Sequence, residues 1–319
     1  MRAVVYDRYG GPERLHLEDL SPPTPGPSQV LIEVVATAVN LSDWESLTGK
    51  PAYARLGGLF APRRRVLGSD FAGRVVGVGA DVTGFGVGDE VYGDNLQLKG
   101  GFAEYAVAPE SVLAIKPPSL SFAQAAAVPQ SGAIAVQAIA KARAGERMLI
   151  NGAGGGTGAF AIQLAKASSL HVTGVDTAAK LDFIRDLGAD AAIDFCAEDF
   201  TRTGPYNVII DLVASRSVFA YRRALAPGGR YFMVGGTTRA LFRLLTLGSL
   251  VGMLSGRRLG VLFVREGPAQ FRLLTDRILA GDVSVRIDRT FALHDAAEAL
   301  EHHGRGLALG KVVVVIRGE

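Results

Sequence analysis

A glycine-rich turn between an apolar run and a helix is the feature that most limits what this chain can fold into. Its sequence is Arg147-Met-Leu-Ile-Asn-Gly-Ala-Gly-Gly-Gly-Thr-Gly158, followed by an amphipathic stretch at residues 159–166. Five glycines within seven residues remove most Cβ atoms from the turn. Backbone N–H groups and the positive end of the following helix can then approach a pyrophosphate. The pattern predicts a strand, a tight turn and a helix that together bind a dinucleotide.

An acidic residue at the end of the next apolar run supports this interpretation. Ala153, Gly155 and Gly158 match the dinucleotide-binding pattern, with alanine in the first glycine position. The run 171–175 ends at Asp176, where the pattern places an acid for the ribose hydroxyls. A flexible linker would not be bounded by an apolar strand and an amphipathic helix. The predicted cofactor-binding residues are Gly152, Ala153, Gly154, Gly155, Gly156, Thr157, Gly158 and Asp176.

Strands alternate with helices over residues 123–266, which predicts an α/β fold. The predicted helices and strands are helices 178–187 and 215–225 and strands 191–194, 207–212 and 230–234. This alternation indicates parallel pairing through right-handed crossovers. We therefore expect a Rossmann domain, a doubly wound parallel sheet, at residues 123–266.

The two ends of the chain have a different pattern. Short β-like runs separated by prolines and glycines predict a compact β-rich domain in the first hundred residues. The last segment predicts helices over 269–280 and 293–301 and an apolar strand over 311–316. Because so late a strand must pair with a sheet already formed, we expect residues 1–122 and 267–319 to build one domain.

Composition and charge are those of a soluble globular enzyme. The chain has 319 residues, 48% hydrophobic and 20% charged, and a formal net charge of +3. The tight basic cluster at residues 63–65 is short, so we expect no nucleic-acid partner. Charges at Asp7 and Arg8 argue against a signal peptide, and the single cysteine, Cys196, fits a reducing compartment. A cytoplasmic location is expected.

An apolar stretch at residues 241–254 lies between Arg239 and Arg257. Its fourteen residues include Arg243 and are too few to span a bilayer. We favour a buried helix or a subunit contact. The alternative is an interfacial helix that reaches lipid-soluble substrates, so peripheral membrane contact stays open.

Three stretches of the first domain resemble a known family. They are Gly68-Ser-Asp-Phe-Ala-Gly-Arg-Val-Val-Gly-Val-Gly79, Val82-Thr-Gly-Phe-Gly-Val-Gly-Asp-Glu-Val-Tyr92 and Gly100-Gly-Phe-Ala-Glu-Tyr105. Together with the glycine-rich turn and Leu187-Gly-Ala-Asp190, they resemble the medium-chain dehydrogenase/reductase superfamily in its zinc-free quinone oxidoreductase (zeta-crystallin-like) branch. The resemblance covers nearly the whole chain. It implies a GroES-like catalytic domain, a Rossmann domain, a nicotinamide cofactor in the cleft between them and a homodimer built on the edge of the Rossmann sheet.

The residues at the metal positions of zinc-containing relatives are not zinc ligands. Those relatives carry Cys and Gly-His-Glu where this chain has Asn40-Leu-Ser-Asp43 and Gly68-Ser-Asp70. Catalytic zinc needs three ligands from Cys, His and acidic groups, and structural zinc usually needs four cysteines. We therefore expect no zinc.

Losing the metal changes which substrates are feasible. Without a Lewis acid, alcohol oxidation loses charge stabilisation worth several kcal/mol. Quinones and α,β-unsaturated carbonyls delocalise the incoming charge themselves, so a few hydrogen bonds suffice. We predict their reduction by NAD(P)H. The alternatives are a zinc-free alcohol/carbonyl dehydrogenase and a catalytically silent NAD(P)H-binding protein.

Three residues are the predicted catalytic groups. Asn40 begins the family's Asn-Pro-x-Asp motif, with Leu41 in place of proline, and its amide can donate to an oxyanion or to the cofactor. Asp43 completes that motif and can orient Asn40 or bind a ribose hydroxyl, and the alternative role is capping of the helix. Tyr53 can donate to the substrate oxygen, because an ordinary phenol stays protonated at neutral pH.

The choice between NADH and NADPH rests on Asp176 and Lys180. A carboxylate at 176 accepts hydrogen bonds from the ribose diol and repels a 2′-phosphate, which favours NADH. The resemblance favours NADPH, since quinone reductases mostly use it and Lys180 matches the family's phosphate-facing lysine. Gly235 also belongs to the predicted cofactor set. We lean to NADH and leave NADPH open.

Overall fold

A computed structural model of the protein describes residues 1–318. Its strands, numbered along the chain, are β1 (Arg2–Val5), β2 (His16–Asp19), β3 (Gln29–Val39), β4 (Asp70–Val78), β5 (Glu90–Asp94), β6 (Tyr105–Pro109), β7 (Leu113–Ile115), β8 (Arg147–Asn151), β9 (His171–Asp176), β10 (Ala191–Asp194), β11 (Tyr206–Asp211), β12 (Leu225–Met233), β13 (Arg258–Val261), β14 (Ile287–Ala292) and β15 (Lys311–Val315). Its α-helices are α1 (Leu41–Thr48), α2 (Phe122–Ala126), α3 (Pro129–Ile139), α4 (Gly156–Ala167), α5 (Leu181–Asp186), α6 (Val218–Ala224), α7 (Thr238–Arg243), α8 (Ser249–Ser255), α9 (Pro268–Leu279) and α10 (Ala296–Gly304).

The chain forms two compact units. The first contains Met1–Ala133, Glu266–Leu279 and Ile287–Glu319, and the second contains Ile134–Arg265 and Ala280–Arg286. The domain boundaries expected from the sequence, after residues 122 and 266, stay a prediction.

The first unit is built on a mainly antiparallel sheet. Its strand order is β14-β15-β3-β4-β5-β7, with β6 also pairing with β3. The last strand, β15, pairs antiparallel with β3 and parallel with β14, so the expectation that it joins the β-rich domain is confirmed. Alternating residues of these strands, such as Ile32 and Phe71, bury their side chains with Leu300 of α10. This is the GroES-like unit.

The second unit contains a six-stranded parallel sheet in the order β10-β9-β8-β11-β12-β13. The chain moves outward from β8 to β10 and then returns to β11 on the other side of β8. The predicted doubly wound Rossmann sheet is confirmed. The sixth strand, β13, was not predicted because it is only four residues long and includes Gly260.

Strand register places four strand ends at one edge of this sheet. Asn151 of β8 lies between Val175 of β9 and Asp211 of β11, and Asp211 lies opposite Met233 of β12. In an open α/β sheet, ligands bind outside the carboxyl ends of the strands where the strand order reverses. That reversal occurs here between β8 and β11.

The apolar stretch at 241–254 is helical, but it is not a buried helix. Helices α7 and α8 continue through a π-helical turn at Leu244–Gly248. Leucine side chains such as Leu250 and Leu254 are exposed. The expectation that this helix is buried within the chain was wrong, because glycines and an alanine occupy much of the face that packs on the sheet, and the other possibility, a subunit contact, stays a prediction. Within residues 1–318, no helix is long and apolar enough to cross a membrane.

Candidate functional site

The glycine-rich turn connects β8 to α4. Gly152, the first residue after β8, has a φ of +86°, a conformation that favours glycine. Gly155 caps α4, and a Cβ built there would meet only the Gly152 carbonyl oxygen, at 3.8 Å. A Cβ on Gly158 would lie 2.5 Å from the carbonyl oxygens of Gly152 and Ala153. Glycine is therefore needed at 158 for close helix packing, whereas at 155 it leaves open space.

This turn suits an anion. The first N–H groups of a helix have no partner within the helix and carry a partial positive charge. In α4 these groups belong to Gly156, Thr157 and Gly158. The open space at Gly155 lets a phosphate reach them, so the predicted turn residues fit the pyrophosphate of a dinucleotide.

Asp176 is held against this turn at the end of β9. Its Oδ2 accepts a hydrogen bond from the Gly154 N–H at 2.9 Å, and its Oδ1 accepts one from the Thr177 N–H at 2.9 Å. The Lys180 Nζ lies 3.8 Å from the same Oδ1, and both side chains are largely buried. The structure thus brings Asp176 and Lys180 together with the turn.

Gly235 lies just beyond β12, at the same sheet edge. Strand β11 separates β12 from β8, so Gly235 is two strands away from the turn. Its contact with the cofactor stays a prediction.

The sequence reasoning missed a buried polar pair at this edge. Asn151 Nδ2 donates to Asp211 Oδ1 at 2.8 Å, and the Tyr231 hydroxyl donates to Asp211 Oδ2 at 2.9 Å. The Ala214 N–H also donates to Asp211 Oδ1, so this carboxylate fixes the loop after β11. Burial raises the pKa of Tyr231, which keeps its hydroxyl a donor. The signal available in the sequence was a polar residue at the end of each of two apolar strands.

In the first unit, Asn40 and Asp43 lie where β3 passes into α1. The Asn40 N–H donates to Asp43 Oδ2 at 3.1 Å, which is the capping interaction considered from the sequence. The Gly68 N–H donates to Asp43 Oδ1 at 3.0 Å, and Lys99 Nζ lies 3.3 Å from the same oxygen. Asp43 is fully buried, and its carboxylate contacts the start of α1, the segment at Gly68 and the segment at Lys99.

Lys311 orients the Asn40 amide. Its Nζ donates to Asn40 Oδ1 at 2.6 Å and to Ser131 Oγ at 3.2 Å. Asn40 Nδ2 donates to Ser69 Oγ at 3.3 Å. With its oxygen bound to an ammonium, the amide nitrogen faces Ser69 and the Asp70 carboxyl, and one of its two hydrogens is already donated to Ser69.

Two buried carboxyls face each other beside this lysine. Asp70 of β4 lies directly opposite Asp94 of β5, and Asp70 Oδ2 is 4.0 Å from Lys311 Nζ. Both Asp70 oxygens accept from the Gln130 N–H, whereas Asp94 Oδ1 is buried without a hydrogen-bond partner among residues 1–318. Burial raises the pKa of Asp70, raises that of Asp94 to about 6, and lowers that of Lys311.

No local pattern pointed to Lys99 or Lys311. Lys311 begins the apolar strand β15 and contacts a residue 271 positions away. Lys99 adopts a φ of +56°, which is uncommon for a residue with a side chain, and lies mostly buried. A lysine at the start of an apolar run was a weak signal, and its partners depend on how β15 pairs with β3.

Tyr53 lies in a 3₁₀ turn at Ala52–Gly57 and is half-buried. Its hydroxyl donates to Glu45 Oε1 of α1 at 3.0 Å. Burial raises the pKa of both Tyr53 and Glu45. The structure therefore connects Tyr53 to the helix that starts after Asn40, and its predicted contact with a substrate stays a prediction.

The side chains around Asn40 are not a zinc-binding set. Among residues 1–318, no group of three or more His, Cys, Asp or Glu side chains is placed to hold a metal ion. The Lys311 ammonium lies between Asn40, Ser131 and Asp70, so a cationic side chain already faces these oxygens. Cys196 is exposed. The turn at β8, by contrast, fits a nucleotide cofactor.

Two family models match the chain. The alcohol dehydrogenase GroES-like domain matches residues 26–118, and the zinc-binding dehydrogenase model matches residues 187–314. The first match lies within the β-rich unit, and the second covers most of the Rossmann sheet and the return to the first unit.

Relatives along the whole chain are oxidoreductases. A chloroplastic quinone oxidoreductase of Triphysaria versicolor is 31% identical over 98% of each chain. A 2-methylene-furan-3-one reductase of Solanum lycopersicum is 32% identical over 98% of this chain and 79% of its own length. The solved quinone oxidoreductase of Coxiella burnetii is 30% identical over 99% of each chain, with a TM-score of 0.89. This chain is therefore a member of the medium-chain dehydrogenase/reductase superfamily, in its quinone oxidoreductase branch.

Proposed function

We propose that this oxidoreductase transfers hydride from a nicotinamide cofactor to a quinone or an α,β-unsaturated carbonyl without a metal ion. The observation that carries the proposal is the Asn40 amide, held by Lys311 at 2.6 Å in a place where zinc enzymes of the superfamily have a ligand. An amide N–H supplies the modest stabilisation that a delocalised oxyanion needs. The quinone and furanone reductases among the relatives support this substrate class.

The cofactor part of the proposal rests on the glycine-rich turn. The N–H groups that begin α4 bind the pyrophosphate, and the open space at Gly155 admits it. Gly235 contributes backbone at the same sheet edge. When bound, the reduced nicotinamide supplies the hydride.

We further propose a preference for NADH. The Asp176 carboxylate is fixed by the Gly154 N–H at 2.9 Å, beside the turn, where it can accept the ribose hydroxyls. The Lys180 ammonium lies near that carboxylate. Asp176 therefore compensates part of the lysine charge that would otherwise attract a 2′-phosphate. A phosphate there would meet like charge from Asp176.

The acceptor oxygen is protonated, in this proposal, through Tyr53. Because burial raises the pKa of Tyr53, its phenol holds its proton at neutral pH. Once the phenol has given its proton to the acceptor oxygen, Glu45, which lies 3.0 Å from the Tyr53 oxygen and whose pKa is raised by burial, passes a proton taken up from solvent to that oxygen. Asn40 stabilises the developing charge, and Asp43 orients Asn40 through its backbone N–H.

A cofactor-oxidation assay tests the proposal. The purified protein is given NADH or NADPH with benzoquinone, naphthoquinone, an enone or simple aldehydes, with and without a zinc chelator. Turnover of quinones or enones that the chelator does not change is expected. Turnover of aldehydes alone would instead identify a carbonyl dehydrogenase. Turnover of none, with cofactor still bound, would identify a silent NAD(P)H-binding protein.

Substitutions locate the chemistry within the first unit. Asn40→Ala should lower kcat with conjugated acceptors by about tenfold to a hundredfold, since one oxyanion donor is typically worth that much or more. Tyr53→Phe should lower kcat and alter its pH profile. Ser46→Ala, on the same helix α1, is the matched control and should change neither. Unchanged turnover in Asn40→Ala would contradict its role.

A homodimer and a cytoplasmic location complete the proposal. The family places its subunit contact on the edge of the Rossmann sheet, and β13 lies at such an edge. Light scattering of the purified protein should give twice the mass of one chain. The location rests on the sequence composition and on the single cysteine.

A further inference from the structure

The helical segment from α7 to α8 buries mostly small residues and exposes several large apolar ones. Its buried positions are Ala240, Leu244, Gly248 and Gly252. Its exposed apolar positions are Phe242, Leu245, Leu247, Leu250, Met253 and Leu254. A helix on a soluble protein normally does the reverse. We call the exposed set the outer face.

The two faces stay separate along the whole segment. At 3.6 residues per turn, positions four apart drift by about 40° around an α-helix. The π-helical turn at Leu244–Gly248 is wider, which reduces this drift and keeps Ala240 and Gly252 on the same side. A Cβ on Gly252 would lie 2.8 Å from the Arg257 carbonyl oxygen, so the buried side lies directly on backbone. The exposure of the large apolar side chains is therefore a consequence of how this segment packs against backbone.

The outer face exposes six large apolar side chains on one helical segment. Met253 is 75% exposed and Leu254 is 77% exposed. Large apolar side chains exposed together in this way mark a site of contact with a protein or a membrane.

The charge of the surrounding segment selects between these partners. Residues 212–265 contain nine arginines and none of the chain's 31 acidic residues, whereas the rest of the chain has more acidic than basic residues. Arg239, Arg258 and Arg265 are exposed and form no ion pair within residues 1–318. Charge gives a second copy of this segment no attraction at the outer face, so the homodimer proposed above must form through the strand edge at β13 instead. An anionic bilayer would attract the segment, at about 1 kcal/mol for each basic residue near the surface.

A basic cavity lies next to the outer face. Helix α6 packs against α8, and a cavity of about 500 Å³ beside α6 is lined by Arg222, Arg223 and Arg257 together with Phe219. Arg223 is paired with Asp199 at 3.2 Å and Arg257 donates to backbone carbonyls, so Arg222 is the arginine that suits a lipid phosphate, with the acyl chains on Phe219, which is 59% exposed.

We propose that the outer face docks this enzyme on an anionic lipid bilayer, with the apolar side chains in the interface and the arginines on lipid phosphates. A single helix of this size binds a bilayer reversibly, through its apolar area and its basic residues together. Lipid-soluble quinones reside in such a bilayer, so docking would deliver the acceptor class of the proposed function. The docking itself does not depend on that function.

Vesicle sedimentation of the full-length protein tests this. The vesicles contain phosphatidylcholine alone, or phosphatidylcholine partly replaced by phosphatidylglycerol. Sedimentation with the anionic vesicles only, weakened by salt, is the expected result. Equal binding to both vesicles, or binding to neither, would overturn the proposal.

Two pairs of variants test the apolar part. Leu250→Ser with Leu254→Ser should reduce the vesicle partition coefficient at least about tenfold, because both side chains lose their contact with the interface. The matched control, Leu273→Ser with Leu279→Ser, changes two leucines of α9 that are each 50% exposed. It should bind like the wild type, and the melting temperature of each variant verifies folding. Equal loss in both pairs would contradict docking through the outer face.

A pair of arginine substitutions tests the electrostatic part of the proposal without changing the leucines. Arg239→Gln with Arg258→Gln should weaken binding by about tenfold or more. Arg63→Gln with Arg64→Gln removes the same charge from an exposed loop and should leave it within about twofold. If the leucine pair instead converts a dimer to a monomer and no vesicle binds, the outer face is a contact between two copies and the proposal fails.

Discussion

The glycine-rich turn and the Lys311 cluster are both polar sites, yet they are assembled in opposite ways. The turn is a contiguous run, 152–158, that acts through backbone N–H groups and through the space its glycines leave. The cluster collects Asn40, Asp70, Ser131 and Lys311 from four separate segments and acts through charged side chains. The turn should therefore be sensitive to an added Cβ and the cluster to an altered charge.

Removing the Lys311 charge should have the largest effect. Lys311→Met leaves the Asn40 oxygen and the Asp70 carboxyl buried without their cation, which typically costs about 3–5 kcal/mol for a buried pair. The free energy of unfolding, measured by urea denaturation, should fall by that amount.

A second substitution distinguishes the effect of the Lys311 charge on stability from the effect of its packing. Lys311→Met with Asp70→Asn removes both charges of the pair, which lie 4.0 Å apart. It should recover at least half of the lost free energy, because breaking a buried pair costs more than replacing it. If the double variant is no more stable than Lys311→Met, the lysine stabilises the fold by packing alone.

The sequence predicted the turn and most of the sheet around it because these features are local. The apolar run at β8, the glycines after it and Asp176 at the end of β9 all have fixed spacing along the chain. That the terminal apolar strand joins the sheet of the first unit was also predicted, because such a strand needs a partner, but the sequence did not indicate that this partner is β3.

The cluster could not be predicted in this way. Lys311 meets Asn40 only because β15 pairs with β3, and a residue at the end of one strand then faces the end of the other. The inverted helix at α7 and α8 was misjudged for a related reason. A hydrophobic run indicates that a segment is buried. Here the glycines at 248 and 252 determine which side of the helix packs on the sheet.

Adding a Cβ to the turn should have the next largest effect. In Gly158→Ala the new methyl group would lie 2.5 Å from two carbonyl oxygens, so α4 must shift. Overpacking of this kind should lower the free energy of unfolding by about 3 kcal/mol and abolish tight cofactor binding.

Gly155→Ala is the matched control for this prediction. Its methyl group would have only one neighbour, at 3.8 Å, and its φ of −86° suits alanine. Stability should stay within about 0.5 kcal/mol, whereas cofactor affinity, measured by fluorescence titration, should fall about tenfold or more because the methyl fills the phosphate space. Equal stability of the two variants would show that Gly158 is not needed for packing.

Asp94, which lies opposite Asp70 of the cluster, should make this region respond to pH, unlike the turn. Burial raises the pKa of Asp94 from its ordinary 3.8 to about 6. Between these values folded Asp94 holds a proton that the unfolded chain has released, so its contribution to stability declines as pH rises. Asp94→Asn should therefore gain stability relative to the wild type over this range, by about 3 kcal/mol above pH 6.

Urea denaturation at a series of pH values measures this difference. Asp182→Asn is the control, since the Asp182 side chain is 97% exposed, and its difference from the wild type should not change over the same range. A difference for Asp94→Asn that is independent of pH would show that Asp94 titrates normally.

The smallest predicted effect combines both kinds of site, because Asp176 is a charged side chain held by the backbone of the turn. Asp176→Asn retains an oxygen for the Gly154 N–H but removes the charge that would repel a 2′-phosphate. The ratio of Kd for NADPH to Kd for NADH should fall about tenfold, or about 1.4 kcal/mol. Lys180→Met should move that ratio the opposite way, since it removes the neighbouring cation. An unchanged ratio in both variants would mean that neither residue faces the ribose, and that the turn alone binds the cofactor.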